Sequence, residues 1–203
     1  MKKIILHLCA DIGSDSRPYA DNGYDVRLVG KDIGVEHYTP PLDVYGIIAN
    51  PVCTEFSIAD HDRKRDIEKG LFLVKHCERI IAKCASLRFW VIENPATGLL
   101  KRYLGKPRYS YEPWEYGPPW TKRTALWGNF IIPTPTYTRW EDVPKNPDIY
   151  VRLGRRASMA WLHKSAIHNI PEFARFIPQI HDDMSLRSLC SQNFAQAFFK
   201  ANP

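Results

Sequence analysis

No apolar run in this chain approaches the roughly 18 residues that a membrane-spanning helix requires. The start, MKKIILHLCAD, is basic and then apolar, like a secretion signal, but Asp11 ends the apolar run after about six residues. A first β-strand is expected there, in a cytoplasmic protein with no membrane partner. Cysteine pairs with ligand spacing are missing too. Cys9, Cys53, Cys77, Cys84 and Cys190 are odd in number and form no CxxC motif. That argues against a disulfide framework and against a structural zinc site. No histidine pair has metal spacing either, so no metal is expected. There are no internal repeats or low-complexity tracts, so no solenoid or repeat array is expected.

What is present is an ordinary globular chain of 203 residues, long enough for one substantial core with a small appendage. A net charge of +6 and a pI near 9.1 permit a polyanionic partner without requiring one. The aromatic content is more informative. Six Trp and ten Tyr occur, many beside Lys or Arg, as in KRYLGKPRYSYEPW and WTKRTALW. Flat rings interleaved with cations suit phosphate pairing and base stacking. They equally suit aromatic packing around snorkelling side chains.

The first half alternates strand and helix signals. Residues 3–9, 24–30, 44–50 and 88–94 are apolar or alternating runs of strand length. Ser14, Asp15 or Ser16 can cap a helix that Pro18 opens and Asn22-Gly23 stops. Residues 66–85 carry apolar groups at helical spacing, with Cys77 and Cys84 on one face. This order predicts an α/β fold with a mostly parallel central sheet flanked by helices. Proline is frequent over residues 107–147. Residues 122–130 suit a strand, residues 133–183 read as irregular, and a last helix is expected from Ser191 or Gln192 to Ala201.

In open α/β sheets ligands bind at the carboxyl ends of strands, and three such endings are unusual. Strand one ends in ADIGSDS, where Gly13 allows a close backbone approach and a helix start offers free N–H groups. The third strand ends in NPVCTEFS, which places the Cys53 thiol on a proline-stiffened turn. That thiol is either a packed core group or a nucleophile with a base nearby. A later strand ends in ENPATG. Burial after the apolar FWVI raises the Glu93 carboxyl pKa, so it can donate a proton; otherwise Glu93 caps a loop.

LHLCADIGSDS, NPVCTEFS, ENP, YGPPWTKRTALWG and CSQNFAQAFF occur in an order and spacing that resemble the DNA cytosine-5 methyltransferases. The resemblance spans nearly the whole chain. It implies a Rossmann-like S-adenosylmethionine-dependent methyltransferase fold and DNA as partner. It gives catalytic roles to Cys53, Glu93 and Arg123: attack on cytosine C6, holding N3 with its proton, and binding O2. It implies an S-adenosyl-L-methionine site made by Asp11, Ile12, Gly13, Ser14, Asp32, Ile33, Asn50 and Asn193. Pro51, Thr54, Ser57, Asn94, Pro95 and Lys122 would contact the substrate, whose base must leave its stack.

Some positions depart from the family pattern. Val52 stands where a proline is usual, Thr121 where a second arginine is common, and Val29-Gly30 where the second strand normally ends in a carboxylate. The implied layout is a catalytic core of residues 1–128 plus a C-terminal helix at about 185–203. Between them, residues 129–184 form a reduced recognition region with a basic tone from Arg152, Arg155, Arg156, His163, Lys164 and His168. So small a region implies short specificity, a nucleotide or RNA substrate, or a partner subunit that supplies recognition. A non-catalytic relative that binds nucleic acid or nucleotide is the other reading. A small modification enzyme of this kind would suit a phage or mobile element.

Overall fold

A computed structural model describes residues 2–58, 62, 64–149 and 156–203. Arg152 and Arg155 lie outside the described residues. The main sheet has six strands in the order β2-β1-β3-β4-β7-β5. These are β1 (Ile4–Leu8), β2 (Asp25–Val29), β3 (Val44–Ala49), β4 (Phe89–Pro95), β5 (Tyr109–Tyr111) and β7 (Thr124–Asn129). The first four pair in parallel, while β7 runs antiparallel to both β4 and β5. The fold is therefore α/β with a mixed, mostly parallel sheet, compatible with a Rossmann-like arrangement. The chain steps from β1 to one side for β2 and to the other for β3. The order thus reverses at β1, which opens a crevice at the carboxyl ends of these strands.

Side-chain alternation sends each strand's residues to two different cores. Ile4, Leu6 and Leu8 of β1, with Ile47 and Ala49 of β3, pack under α2 (Ile67–Lys83) with Val74, Cys77 and Ile80. Asp66 caps that helix by accepting from the Lys69 N–H at 3.0 Å. The opposite face holds Ile5, Ile48, Phe89 and Val91, covered by α1 (Arg17–Asp21) and α5 (Gln192–Ala201) through Tyr19, Phe194 and Phe198. Pro18 lies in the first turn of α1, and Asn22-Gly23 follows its end, with Gly23 at φ +83°.

A third core lies outside the sheet. Trp120, Met159, Leu162, Ile167, Ile170, Phe173, Phe176 and Leu186 bury one another. Two-residue strands β6 (Trp120–Thr121) and β8 (Ala157–Ser158) pair in parallel at its edge. The 3₁₀ helices Met159–Trp161, Lys164–Asn169 and Pro171–Gln179, then α4 (Asp183–Ser188), wrap around it. A stretch that reads as irregular is thus a packed lobe of short turns. It is pinned to the sheet by Arg175, whose guanidinium meets Asp21 of α1 at 2.7 and 3.2 Å. No helix among the described residues is long and apolar enough to cross a membrane, and none of their His, Cys, Asp and Glu side chains cluster as metal ligands.

Candidate active site

Parity and register assemble the site. In the ladder His7 sits beside Ile48 and Leu8 beside Ala49, while Ala49 sits beside Ile92. One step further along β3 and β4 come Asn50 and Glu93. His7, Asn50 and Glu93 therefore share the face covered by α1 and α5. His7 is 1% exposed. Its Nε2 lies 2.7 Å from Asn50 Oδ1 and its Nδ1 lies 2.8 Å from Ser16 Oγ. Asn50 Nδ2 then donates to Asp15 at 3.2 Å and to Glu93 at 3.0 Å. Burial lowers the His7 pKa, outweighing the nearby Asp15 charge. The neutral ring has one N–H, which points to Asn50 because that amide's nitrogen is committed to the carboxylates.

Burial is also the main cause that raises the Glu93 pKa. Asp15 raises it further, while Lys122 and the Asn50 hydrogen bond oppose it. The Cys53 thiol is raised first by burial and then by the Glu93 charge, with Lys122 pulling it down. The Glu93 carboxylate and the Lys122 ammonium thus both act on the Cys53 thiol, across the ends of β3, β4 and β7. Lys122 is held there by the Leu189 carbonyl at 2.9 Å.

The Cys53 turn is fixed despite Val52. Cys53 O accepts from the Phe56 and Ser57 N–H groups at 2.9 and 2.8 Å, and Phe56 is fully buried as an anchor. Asn94, on the other face of β4 from Glu93, donates to Pro51 O at 2.9 Å. Pro51 is buried, Thr54 is exposed and Ser57 is half-buried. Pro95 pairs with Thr124 at the end of the ladder.

Other expected site residues have structural ties. Gly13 adopts φ +76°, the left-handed region that favours glycine, and a Cβ there would press on the Leu28 side chain at 2.9 Å. The Asp11 carboxylate accepts from the Lys31 N–H at 2.9 Å. A Cβ on Gly30 would lie 2.2 Å from that same carboxylate, which explains the glycine just after β2. Ser14 Oγ accepts from the Cys190 N–H at 3.0 Å, and Ile12 packs against the third core. Asn193 donates to Tyr116 O at 3.1 Å, while its neighbour Gln192 donates to Ser14 O in the β1 turn at 3.1 Å. Arg123 is exposed, and its backbone carbonyl accepts from Ala96. Lys122 rather than Arg123 supplies the positive charge that acts on Cys53 and Glu93. Asp32 and Ile33 are exposed beyond β2.

Sequence reasoning assigned no role to His7 and gave Asp15 only a capping one. The signal for His7 was available: it is a single imidazole in an otherwise apolar buried strand, in phase with Asn50 and Glu93. Asp11 and Asp15 follow β1, and the exposed Asp32 and Ile33 follow β2 at the same end of the sheet. Compared with known proteins, the chain matches no protein-family model and no curated protein.

Proposed function

We propose that the chain is an S-adenosylmethionine-dependent methyltransferase acting at C5 of cytosine in DNA. The observation that carries this reading is the placement of the Cys53 thiol and the Glu93 carboxyl at the ends of two adjacent parallel strands, close enough that the carboxylate charge disfavours the thiolate. Soft sulfur suits conjugate addition to a pyrimidine. Cys53 Sγ bonds to C6, and Glu93 gives its proton to N3 as the ring takes up the electron pair. The cofactor supplies an activated methyl group when bound. Water takes the C5 proton, the electron pair it leaves re-forms the C5–C6 double bond as the C6–S bond breaks, and the N3 proton returns to Glu93, so that thiolate and carboxyl group are both restored. Asp11, Asp32 and Ile33 are the residues that would hold the cofactor, and Lys122 favours the thiolate.

A raised carboxyl pKa gives this reading its chemistry, since an ordinary glutamate has no proton to give at neutral pH. Cys53 and Glu93 are linked: protonating Glu93 removes the charge that disfavours the thiolate. Labelled methyl transfer to DNA, RNA and dCMP in competition tests the reading. Incorporation into DNA that disappears in Cys53→Ala is the expected result. Full activity of Cys53→Ala would exclude the thiol mechanism, and preference for RNA or dCMP would reassign the substrate.

A further inference from the structure

The hydrogen-bond chain behind Glu93 is complete. Asn50 has one acceptor oxygen and two donor hydrogens, and all three are used: His7 on the oxygen, Asp15 and Glu93 on the nitrogen. The amide cannot rotate without exchanging its nitrogen for its oxygen opposite two carboxyl groups. Its direction is set from behind by His7 and Ser16, both about 1% exposed. Asp15 and Glu93 also line one small cavity of about 20 Å³, floored by Ile48, Val91 and Phe194. Asp15 and Glu93 thus face one small space and one amide, and the Asp15 carboxylate disfavours a second charge on Glu93.

We infer that Asp15 and His7 are positioning residues for Glu93: through the shared Asn50 amide, His7 fixes the direction of the Glu93 carboxyl and Asp15 sets a second carboxylate against the same amide, beside the Glu93 proton. This rests on the methyltransferase reading, in which that proton moves from Glu93 to N3 while Cys53 Sγ bonds to C6. Asp15 touches neither base nor thiol in this role. Its remaining partner is Ser14, whose hydroxyl donates to it at 3.1 Å. The other groups acting on the site are Lys122 ahead of β7, Cys53 after β3, Tyr111 on β5 and Cys190 ahead of α5. Of these only Lys122 is cationic, and it opposes Asp15.

The active pair is a Cys53 thiolate with a protonated Glu93. Because Glu93 loses its proton at lower pH than Cys53, the acid limb of the rate profile follows Glu93 and the alkaline limb follows Cys53. Removing the Asp15 charge lowers the Glu93 pKa. The acid limb then moves down, and the plateau rate falls about tenfold for each pH unit that it moves.

The test is an infrared pH titration of the protonated-carboxyl band that Glu93→Gln removes, in wild type, Asp15→Asn and Asp15→Glu, alongside rate profiles for methyl transfer to DNA. The band is expected to titrate at lower pH in Asp15→Asn and to return toward the wild-type pH in Asp15→Glu. An unchanged band in Asp15→Asn overturns the inference. So does Asp15→Glu behaving like Asp15→Asn, since the charge would then not be the cause. If the band shifts as expected but no variant or wild type transfers methyl groups, the pairing stands and the methyltransferase reading fails.

Discussion

The crevice and the lobe are built from opposite materials. At the crevice, long buried strands fix a few polar groups by parity, so that His7, Asn50 and Glu93 fall in line across three strands. In the lobe no described strand is longer than two residues, and order comes from aromatic and aliphatic side chains packed between tight turns. Trp120 and Phe173 lie 5.7 Å apart there. The sheet can hold a carboxyl group in an uncomfortable protonation state because its backbone is over-determined. The lobe is held instead by side-chain packing and by scattered ties such as Arg175 to Asp21 and Arg187 to the Leu162 carbonyl.

The largest expected effect is chemical and confined to the crevice. Glu93→Gln should lower methyl transfer by about 10²–10⁴-fold, the range for a positioned proton donor. Circular dichroism should show the fold retained. A loss of less than about tenfold would mean that the carboxyl does not take part in the reaction.

The next effect separates the regions by stability. Phe173 is fully buried at the centre of the lobe, and Phe173→Ala should cost about 3–5 kcal/mol. Hydrogen exchange should rise first over residues 157–189, with β1, β3 and β4 still protected. Equal loss of protection in both regions would show a single cooperative unit and erase the distinction. A smaller loss is expected in the sheet itself from Gly46→Ala. The added Cβ would lie 2.3 Å from the Phe89 ring, and overpacking of this kind costs about 1–3 kcal/mol. Denaturant titration reads it directly.

The same contrast explains what the sequence made legible. The strands at 4–8, 25–29, 44–49 and 89–95 and the helix at 67–83 follow from apolar periodicity and caps. Cys53 and Glu93 were readable as strand endings, because NPVC and ENP break apolar runs. The lobe was not, because Ile167, Ile170, Phe173 and Phe176 recur every three residues, the 3₁₀ period, which matches neither the α-helical nor the strand repeat. Long-range ties are invisible as well. Asn193 reads as part of a helix-opening motif, but nothing local shows that its amide reaches Tyr116. Arg123 and Lys122 are adjacent in the chain, and only the antiparallel entry into β7 decides which of them acts on the crevice.

The smallest effect tests the joint between the two regions. Glu172 of the lobe accepts from the Gln192 and Asn193 N–H groups at 2.8 and 3.3 Å through one oxygen. Its other oxygen is buried and has no partner among the described residues. Burial pushes this carboxyl up to about 7, against the pull of those backbone donors. The folded-state pKa is above the unfolded one, so the folded protein binds more protons between about pH 4.5 and 7 and loses stability as pH rises through that window. Glu172→Gln keeps an acceptor for the helix start and removes the ionisation. The difference in unfolding free energy between wild type and Glu172→Gln should therefore change across that window and level off on either side. A difference that stays constant would mean that Glu172 ionises at its ordinary pH, and that the joint between lobe and sheet is indifferent to charge.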